Sequence, residues 1–134
     1  MKIESKIGKS GSSDVEIYNF ISNFHNFKEL LPADKVSAWE ASEDKCSFNV
    51  EPLGRTGIMI VEKEPYKLVK MVSDPEFSTY QFNIWIQLKK VTENDTRVKV
   101  TIEPLVNKML LPMLKLPLKK LADGIIHKIE DFTF

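Results

Sequence analysis

Glu62 is the residue in this sequence with the clearest potential for acid–base chemistry. It lies two positions after Ile60 in an alternating stretch, so the two side chains share a face if the stretch is a strand. An inward carboxylate would be desolvated, which favours its protonated form and suits it to proton transfer. Tyr80 and Ser73 could supply hydroxyl groups to the same pocket. Alternatively, the strand ends near Pro65 and leaves Glu62 at a solvated rim.

Cys46, His25 and His127 are the single cysteine and the two histidines of the chain. Their positions match no metal-ligand spacing, so we expect no metal and no cofactor. A Cys46–His pair acting as nucleophile and base stays open, although a lone cysteine on an apolar strand face is typically a small buried hydrophobe. A single cysteine forms no intramolecular disulfide, which favours a reducing compartment.

Arg55 is one of only two arginines, and it lies between two glycines in a predicted tight turn at 54–57. An arginine there could hold a ligand carboxylate or phosphate near a pocket mouth. The alternative is an ordinary hairpin turn with an exposed arginine.

Composition narrows the classes of function. Lysine plus arginine equals aspartate plus glutamate, at 19 each, so the chain is neutral and poor in arginine. Nucleic-acid binding rests on phosphate neutralisation, and we therefore expect no nucleic-acid partner. Residues 1–13 contain no apolar core of signal-peptide length, and no apolar run reaches the roughly 18 residues of a transmembrane helix. The expectation is a cytoplasmic protein without stable membrane insertion.

The elements that would position these residues follow from periodicity. Residues 2–9 alternate and predict a first strand with Ile3, Ser5 and Ile7 on one face. Ser13 and Glu16 form a capping box that predicts a helix from residue 14, and a second short helical segment ends before position 32. Period-two patterns then predict six further strands, at 36–41, 46–51, 58–63, 67–73, 79–91 and 96–103. Short turns between them indicate an antiparallel meander.

A long helix is predicted at the end of the chain, from about 105 to 132. Apolar residues recur there at steps of three and four, as on one face of a helix. Pro112 and Pro117 oppose a straight helix, so it is either kinked at Pro112 or begins anew at Pro117. The Met-, Leu- and Lys-rich segment 107–120 is a gate for a hydrophobic ligand, a contact for an anionic membrane surface, or a kinked core helix with solvated lysines.

A family resemblance rests on four features taken together. These are the element order, the S-x-x-E helix start followed by F-H-N-F-K-E-L-L-P at 24–32, the W-E-A strand at 39–41, and the terminal helix. In them the chain resembles the START-related helix-grip superfamily, also called SRPBCC, which includes polyketide cyclase/dehydrase-like and lipid-transfer proteins. The resemblance implies a hydrophobic pocket between sheet and terminal helix. Some members of the superfamily are enzymes, but the resemblance implies no catalytic residue in this chain.

The predicted fold class is α+β, a helix-grip. A curved seven-stranded antiparallel sheet surrounds a long C-terminal helix, two short helices follow strand 1, and residues 1–134 form a single ligand-binding domain. Alternation and helical spacing select the pocket lining. The lining residues are Phe48, Ile58, Ile60, Met71, Tyr80, Phe82, Ile84, Met109, Met113, Leu114, Leu118 and Leu121. The alternative is that these side chains close a packed core.

The leading functional hypothesis is non-catalytic binding or transport of a small hydrophobic or amphipathic molecule between sheet and helix. One alternative is a small cyclase- or dehydratase-type enzyme that uses pocket carboxyl and hydroxyl groups such as Glu62. Another is a protein- or membrane-interaction module that uses Trp85, predicted to face outward, or the lysine-rich helix entrance. An enzyme is the less favoured of these, and we expect a monomer or a weak dimer.

Overall fold

The protein is described by a computed structural model covering residues 1–134. It has eight strands, three α-helices and one 3-10 helix. In chain order the elements are β1 (Ile3–Glu4), β2 (Gly8–Ser10), α1 (Asp14–Ile21), α2 (Phe24–Phe27), the 3-10 helix (Lys28–Leu30), β3 (Val36–Ala41), β4 (Lys45–Val50), β5 (Gly54–Glu64), β6 (Leu68–Ser73), β7 (Phe82–Thr92), β8 (Asp95–Pro104) and α3 (Leu111–Asp131). This is the predicted α+β helix-grip arrangement.

The strands form one antiparallel sheet in the order β1-β8-β7-β6-β5-β4-β3, and β2 pairs with β8 beside β1. The meander from β3 to β8 follows the predicted chain order. The inward side chains of the sheet, the buried residues of the short helices and one side of α3 together form a single core of 27 buried residues. A sheet this wide twists and curls, and α3 lies where the apolar faces meet.

The predicted first strand is interrupted, which gives eight strands instead of seven. Ile3 pairs with Ile102 while Gly8 pairs with Val98, so the first strand carries one extra residue between them. The Ser5 hydroxyl accepts a hydrogen bond from the Val100 N–H at 2.9 Å at this bulge. A one-residue bulge moves the following side chain to the other face. The prediction that Ile7 faces inward is therefore wrong, because its side chain is 68% exposed.

The helix after the first strands begins as the capping box predicts. The Ser13 hydroxyl accepts from the Glu16 N–H at 3.1 Å, and the Glu16 carboxylate accepts from the Ser13 N–H at 3.2 Å. Both bonds satisfy N–H groups that the first helical turn leaves open. Phe24 and Phe27 of α2 and Leu30 of the 3-10 helix are buried, so the second helical segment also anchors in the core.

Helix α3 begins at Leu111 and not at the predicted position 105. Pro112 lies in its first turn, where a missing N–H costs nothing, and Pro117 lies inside the helix. The helix therefore continues through Pro117 and does not begin there. Buried residues on its inner side are Leu114, Leu118, Ala122, Ile125, Ile126 and Ile129.

Polar side chains fasten the outer side of α3 to β1 and β2. The Asp123 carboxylate accepts from the Lys6 N–H at 2.9 Å, and Glu130 accepts from the Lys9 N–H at 3.1 Å. The two helix carboxylates thus satisfy backbone donors along the free edge of the first strands. The contact is close at Gly8, where an added Cβ would lie 2.5 Å from Ile126 Cγ2.

The opposite edge of the sheet is β3. Its Ala38 has a φ of 55°, a left-handed conformation that residues with a Cβ adopt rarely. The pairing of β3 with β4 shifts between Ser37 and Glu40 at the same place. The edge strand is therefore bent near its middle.

We expect Glu130→Gln to lower the free energy of unfolding near neutral pH and to have little effect in acid. Hydrogen bonds from the Lys9 N–H and the Lys6 ammonium hold the pKa of Glu130 below its ordinary value of 4.5. A lowered folded-state pKa stabilises the fold above the unfolded-state pKa, and this contribution disappears as pH falls through the folded-state value. Urea unfolding followed by circular dichroism at both pH values measures the effect. Glu76→Gln, at an exposed residue outside any ion pair, is the control, and equal losses at both pH values would contradict the assignment.

Candidate ligand-binding site

The space between the centre of the sheet and α3 is almost completely filled. One cavity of about 20 Å³ is present there, between Tyr80 just before β7, Phe82 at its start, and Leu114 and Leu118 of α3. A volume of this size holds about one water molecule. The centre of the predicted pocket is therefore a packed core in this structure.

Ten of the twelve predicted lining residues lie in this core or pack against it. The exceptions are Met109 and Met113, which are 86% and 56% exposed. Their predicted inward orientation is wrong, because Met109 lies in the turn before α3 and Met113 lies on the solvent side of its first turn. Leu114, the next residue, is the one that faces the core.

Glu62 lies outside the core. It is exposed on the second half of β5, beyond the point where the β5–β6 pairing shifts between Ile60 and Glu62. This irregularity breaks the alternation from which an inward carboxylate was predicted. The solvated alternative is the one observed.

The candidate hydroxyl groups have structural partners. Ser73 is buried, its hydroxyl donates to the Gln81 side-chain oxygen at 2.8 Å, and it accepts from the Phe82 N–H at 3.0 Å. These bonds connect the end of β6 to the start of β7. Tyr80 borders the 20 Å³ cavity, but no carboxylate lines that cavity beside it.

Cys46 and the two histidines lie in different environments. Burial raises the pKa of Cys46 to about 12, so its thiol stays protonated at neutral pH. His25 and His127 are both exposed, whereas Cys46 is buried. The predicted alternative of a small buried hydrophobe describes Cys46, and the structure contains no cluster of three or more potential metal ligands from His, Cys, Asp and Glu.

Arg55 stacks on an aromatic ring and does not occupy a hairpin turn. Its guanidinium carbon lies 4.9 Å from the centre of the Phe77 ring, a cation–π geometry. The prediction of a turn at 54–57 is wrong, because β5 already begins at Gly54. Gly57 is needed for a close contact, since an added Cβ would lie 2.8 Å from Phe77 Cβ.

Trp85 is half-buried on the outward face of β7, as predicted. The Lys2 and Lys70 ammonium groups lie 4.8 and 5.4 Å from the centre of its ring. The outward position of Trp85 is therefore explained by two cation–π contacts within the chain, without a partner molecule.

A groove of about 360 Å³ lies along one flank of α3 and is large enough for a small ligand. It is bounded by α3 on one side and, on the other, by the segment before β3 together with the end of β4 and the β4–β5 loop. Its lining residues are Pro32, Lys35, Val50, Glu51, Pro52, Leu53, Leu116, Pro117, Lys120, Leu121, Gly124 and Lys128. Of the predicted site residues, Leu121 is the one that lines this groove.

The groove combines apolar walls with an excess of positive charge. Lys35, Lys120 and Lys128 are exposed at its rim, against a single acidic residue, Glu51. None of the three lysines takes part in an ion pair within the chain. Their ammonium groups are therefore free to pair with an anionic group of a ligand.

Gly124 opens the groove from the side of the helix. A Cβ added at this position would meet no heavy atom within 4 Å, although Ile125 and Ala122 beside it are buried. The sequence does not predict the groove, because Lys35 comes from a segment far from α3 in the chain and because a lone glycine in a helix has many explanations.

A second depression of about 680 Å³ lies beside the β5–β6 turn. Its cations are already neutralised in part, since Arg97 pairs with Asp95 at 2.9 Å and Lys99 with Glu4 at 3.2 Å. We therefore regard the groove along α3 as the better candidate.

No helix of the structure is long and apolar enough to cross a membrane.

No protein-family model and no curated protein sequence matches the chain. Solved structures do match it over nearly its whole length. A START superfamily protein from Mycobacterium smegmatis has a TM-score of 0.71 at 11% identity, with 98% of this chain and 99% of that chain covered. A conserved protein from Geobacillus kaustophilus has a TM-score of 0.72 at 14% identity, with 96% of this chain and 91% of that chain covered.

A truncated norcoclaurine synthase from Thalictrum flavum has a TM-score of 0.70 at 12% identity, with 99% of this chain and 95% of that chain covered. One of these similar structures is thus named as an enzyme and another by its superfamily. Identities this low establish a shared architecture and carry no residue roles. The chain has the START-related helix-grip fold.

Proposed function

We infer that the protein binds a small amphipathic anion in the groove along α3. The apolar part of the ligand would lie between Leu116, Leu121 and Leu53, and its carboxylate or phosphate would pair with the lysines at the rim. One observation carries the proposal: three unpaired lysines surround a ligand-sized space with apolar walls. The proposed binding is non-catalytic.

The physical argument joins two effects. Burying an aliphatic chain against apolar side chains contributes about 0.8 kcal/mol for each CH₂ removed from water. An ammonium–carboxylate contact at an exposed rim adds roughly 0.2–1 kcal/mol and falls as salt screens it. The apolar walls therefore supply most of the affinity, and the lysines select an anion over a neutral molecule of the same shape.

Calorimetric titration with decanoate and with decanol tests this selection. We expect decanoate to bind more tightly than decanol at low salt, and the difference to shrink as sodium chloride is added. Equal affinities for the acid and the alcohol, or an affinity difference that salt leaves unchanged, would overturn the role of the lysines.

Two variants separate the charge from the space. Lys120→Gln should weaken decanoate about two- to fivefold, equivalent to roughly 0.5–1 kcal/mol, and leave decanol unchanged. Gly124→Leu should abolish binding of both while raising the melting temperature, because leucine fills the groove and favours the helix more than glycine. Lys90→Gln, at an exposed lysine outside the groove, is the control. Full decanoate binding by folded Gly124→Leu would place the site elsewhere.

A further inference from the structure

The first turns of α3 and the segment just before the helix carry apolar side chains that face solvent. Five of the eleven exposed large hydrophobic residues of the chain fall within positions 105–116. We call this surface the entrance face. Its residues are Leu105, Met109, Leu110, Met113 and Leu116, together with Lys108 and Lys115.

The entrance face is continuous at the start of α3. Met113 and Leu116 are three residues apart, so they are neighbours on one side of the helix, and Met109 lies in the turn just before it. Leu114 and Leu118 face the core on the other side. Leu114 and Leu118 therefore already supply the contact between the helix and the core. No residue of the chain covers the entrance face.

The charged residues of this segment itself all have one sign. Positions 105–122 contain four lysines and no acidic residue, in a chain that is neutral overall. The Lys119 ammonium pairs with the Asp123 carboxylate at 3.5 Å and donates a hydrogen bond to the Glu4 carbonyl. Lys108, Lys115 and Lys120 are exposed and take part in no ion pair.

We propose that the entrance face docks the protein on an anionic lipid surface. Methionine and leucine side chains enter the interface between headgroups and acyl chains, and the lysine stems extend so that their ammonium groups reach lipid phosphates. A protein partner fits less well, because lysine is depleted in the centre of protein–protein interfaces. The helix lies along the surface, since it is too polar to cross the bilayer.

The docking surface adjoins the groove at Leu116, which belongs to both. A membrane-bound molecule would therefore have its groove opening at the lipid surface. Docking itself does not depend on the proposed ligand, because Met109, Met113, Lys108 and Lys115 do not line the groove.

Cosedimentation with vesicles tests the proposal. We expect the full chain to bind vesicles of phosphatidylcholine containing phosphatidylserine, to release them as salt rises, and to ignore phosphatidylcholine alone. The double variant Met109→Ser/Met113→Ser should abolish sedimentation. Lys108→Gln/Lys115→Gln should weaken it about fivefold for each lysine removed. Val61→Ser/Val91→Ser is the control, because it removes two exposed apolar residues elsewhere.

Three results would overturn membrane docking. These are binding of the methionine variant at the level of the parent, equal binding to neutral vesicles, and self-association of the parent that the methionine variant loses. The last would identify a second copy of the chain as the occupant of the entrance face. Urea unfolding should show that each variant is folded. Titration with decanoate in vesicle-free buffer keeps the two proposals separate, since the methionine variant should retain it.

Discussion

Replacing Leu118 by alanine is expected to lower the free energy of unfolding by about 2–5 kcal/mol. Leu118 is 5% exposed and lies on the core side of α3, beside the 20 Å³ cavity. Truncation there removes buried methyl groups and enlarges a space that the surrounding sheet cannot collapse into. Urea unfolding followed by circular dichroism measures the loss.

Leu116→Ala is the matched control on the same helix. Leu116 is 61% exposed, so its truncation should change stability by no more than about 0.5 kcal/mol. The enlarged cavity gives a second measurement, because a dry apolar space takes up small aromatic molecules. Benzene should raise the melting temperature of Leu118→Ala more than that of the parent. A loss under about 1 kcal/mol would contradict the packed interface between α3 and the sheet.

Replacing Pro117 by alanine is expected to raise the free energy of unfolding by up to about 3 kcal/mol. Pro117 lies inside α3, lacks an N–H, and leaves the Met113 carbonyl without its partner four residues later. Alanine restores this hydrogen bond and suits the helix interior. Melting curves and urea titrations of the variant and the parent give the difference.

Pro112→Ala is the control, because Pro112 lies in the first turn of α3, where no intrahelical N–H bond is lost. It should change stability by a few tenths of a kcal/mol at most. Equal stabilisation by the two alanine variants would contradict the cost assigned to the missing hydrogen bond at position 117. Pro117 also lines the groove, so a stabilised variant with weakened decanoate binding would indicate that the groove depends on the proline.

The sequence predicts the architecture well because the strands follow a strict period of two. The third strand has the predicted bounds, Val36–Ala41, and the capping box at Ser13 places the start of α1. Departures occur where one residue breaks a period. The Ser5 hydroxyl replaces a backbone partner and flips Ile7, and the irregularity before Glu62 takes that carboxylate out of the predicted face.

The site is harder to predict than the fold. Residues 109–118 are almost all apolar, so spacing alone cannot show which side of the helix faces the sheet, and it predicts the wrong side for Met109 and Met113. The glycines at 54 and 57 predict a turn, yet Gly57 lies within a strand and is required by the close approach of Phe77. Lys35 and Lys128 reach one groove through tertiary packing, which leaves no local pattern in the sequence.

An open sheet has two free edges, and each can recruit strands from other molecules when its backbone groups are left available. Along β1 and β2 the carboxylates of Asp123 and Glu130 already occupy the N–H groups of Lys6 and Lys9. Along β3 the left-handed Ala38 interrupts the row of donors and acceptors. One edge is thus capped chemically and the other is bent, so neither offers a straight template for the strand-by-strand growth of aggregates.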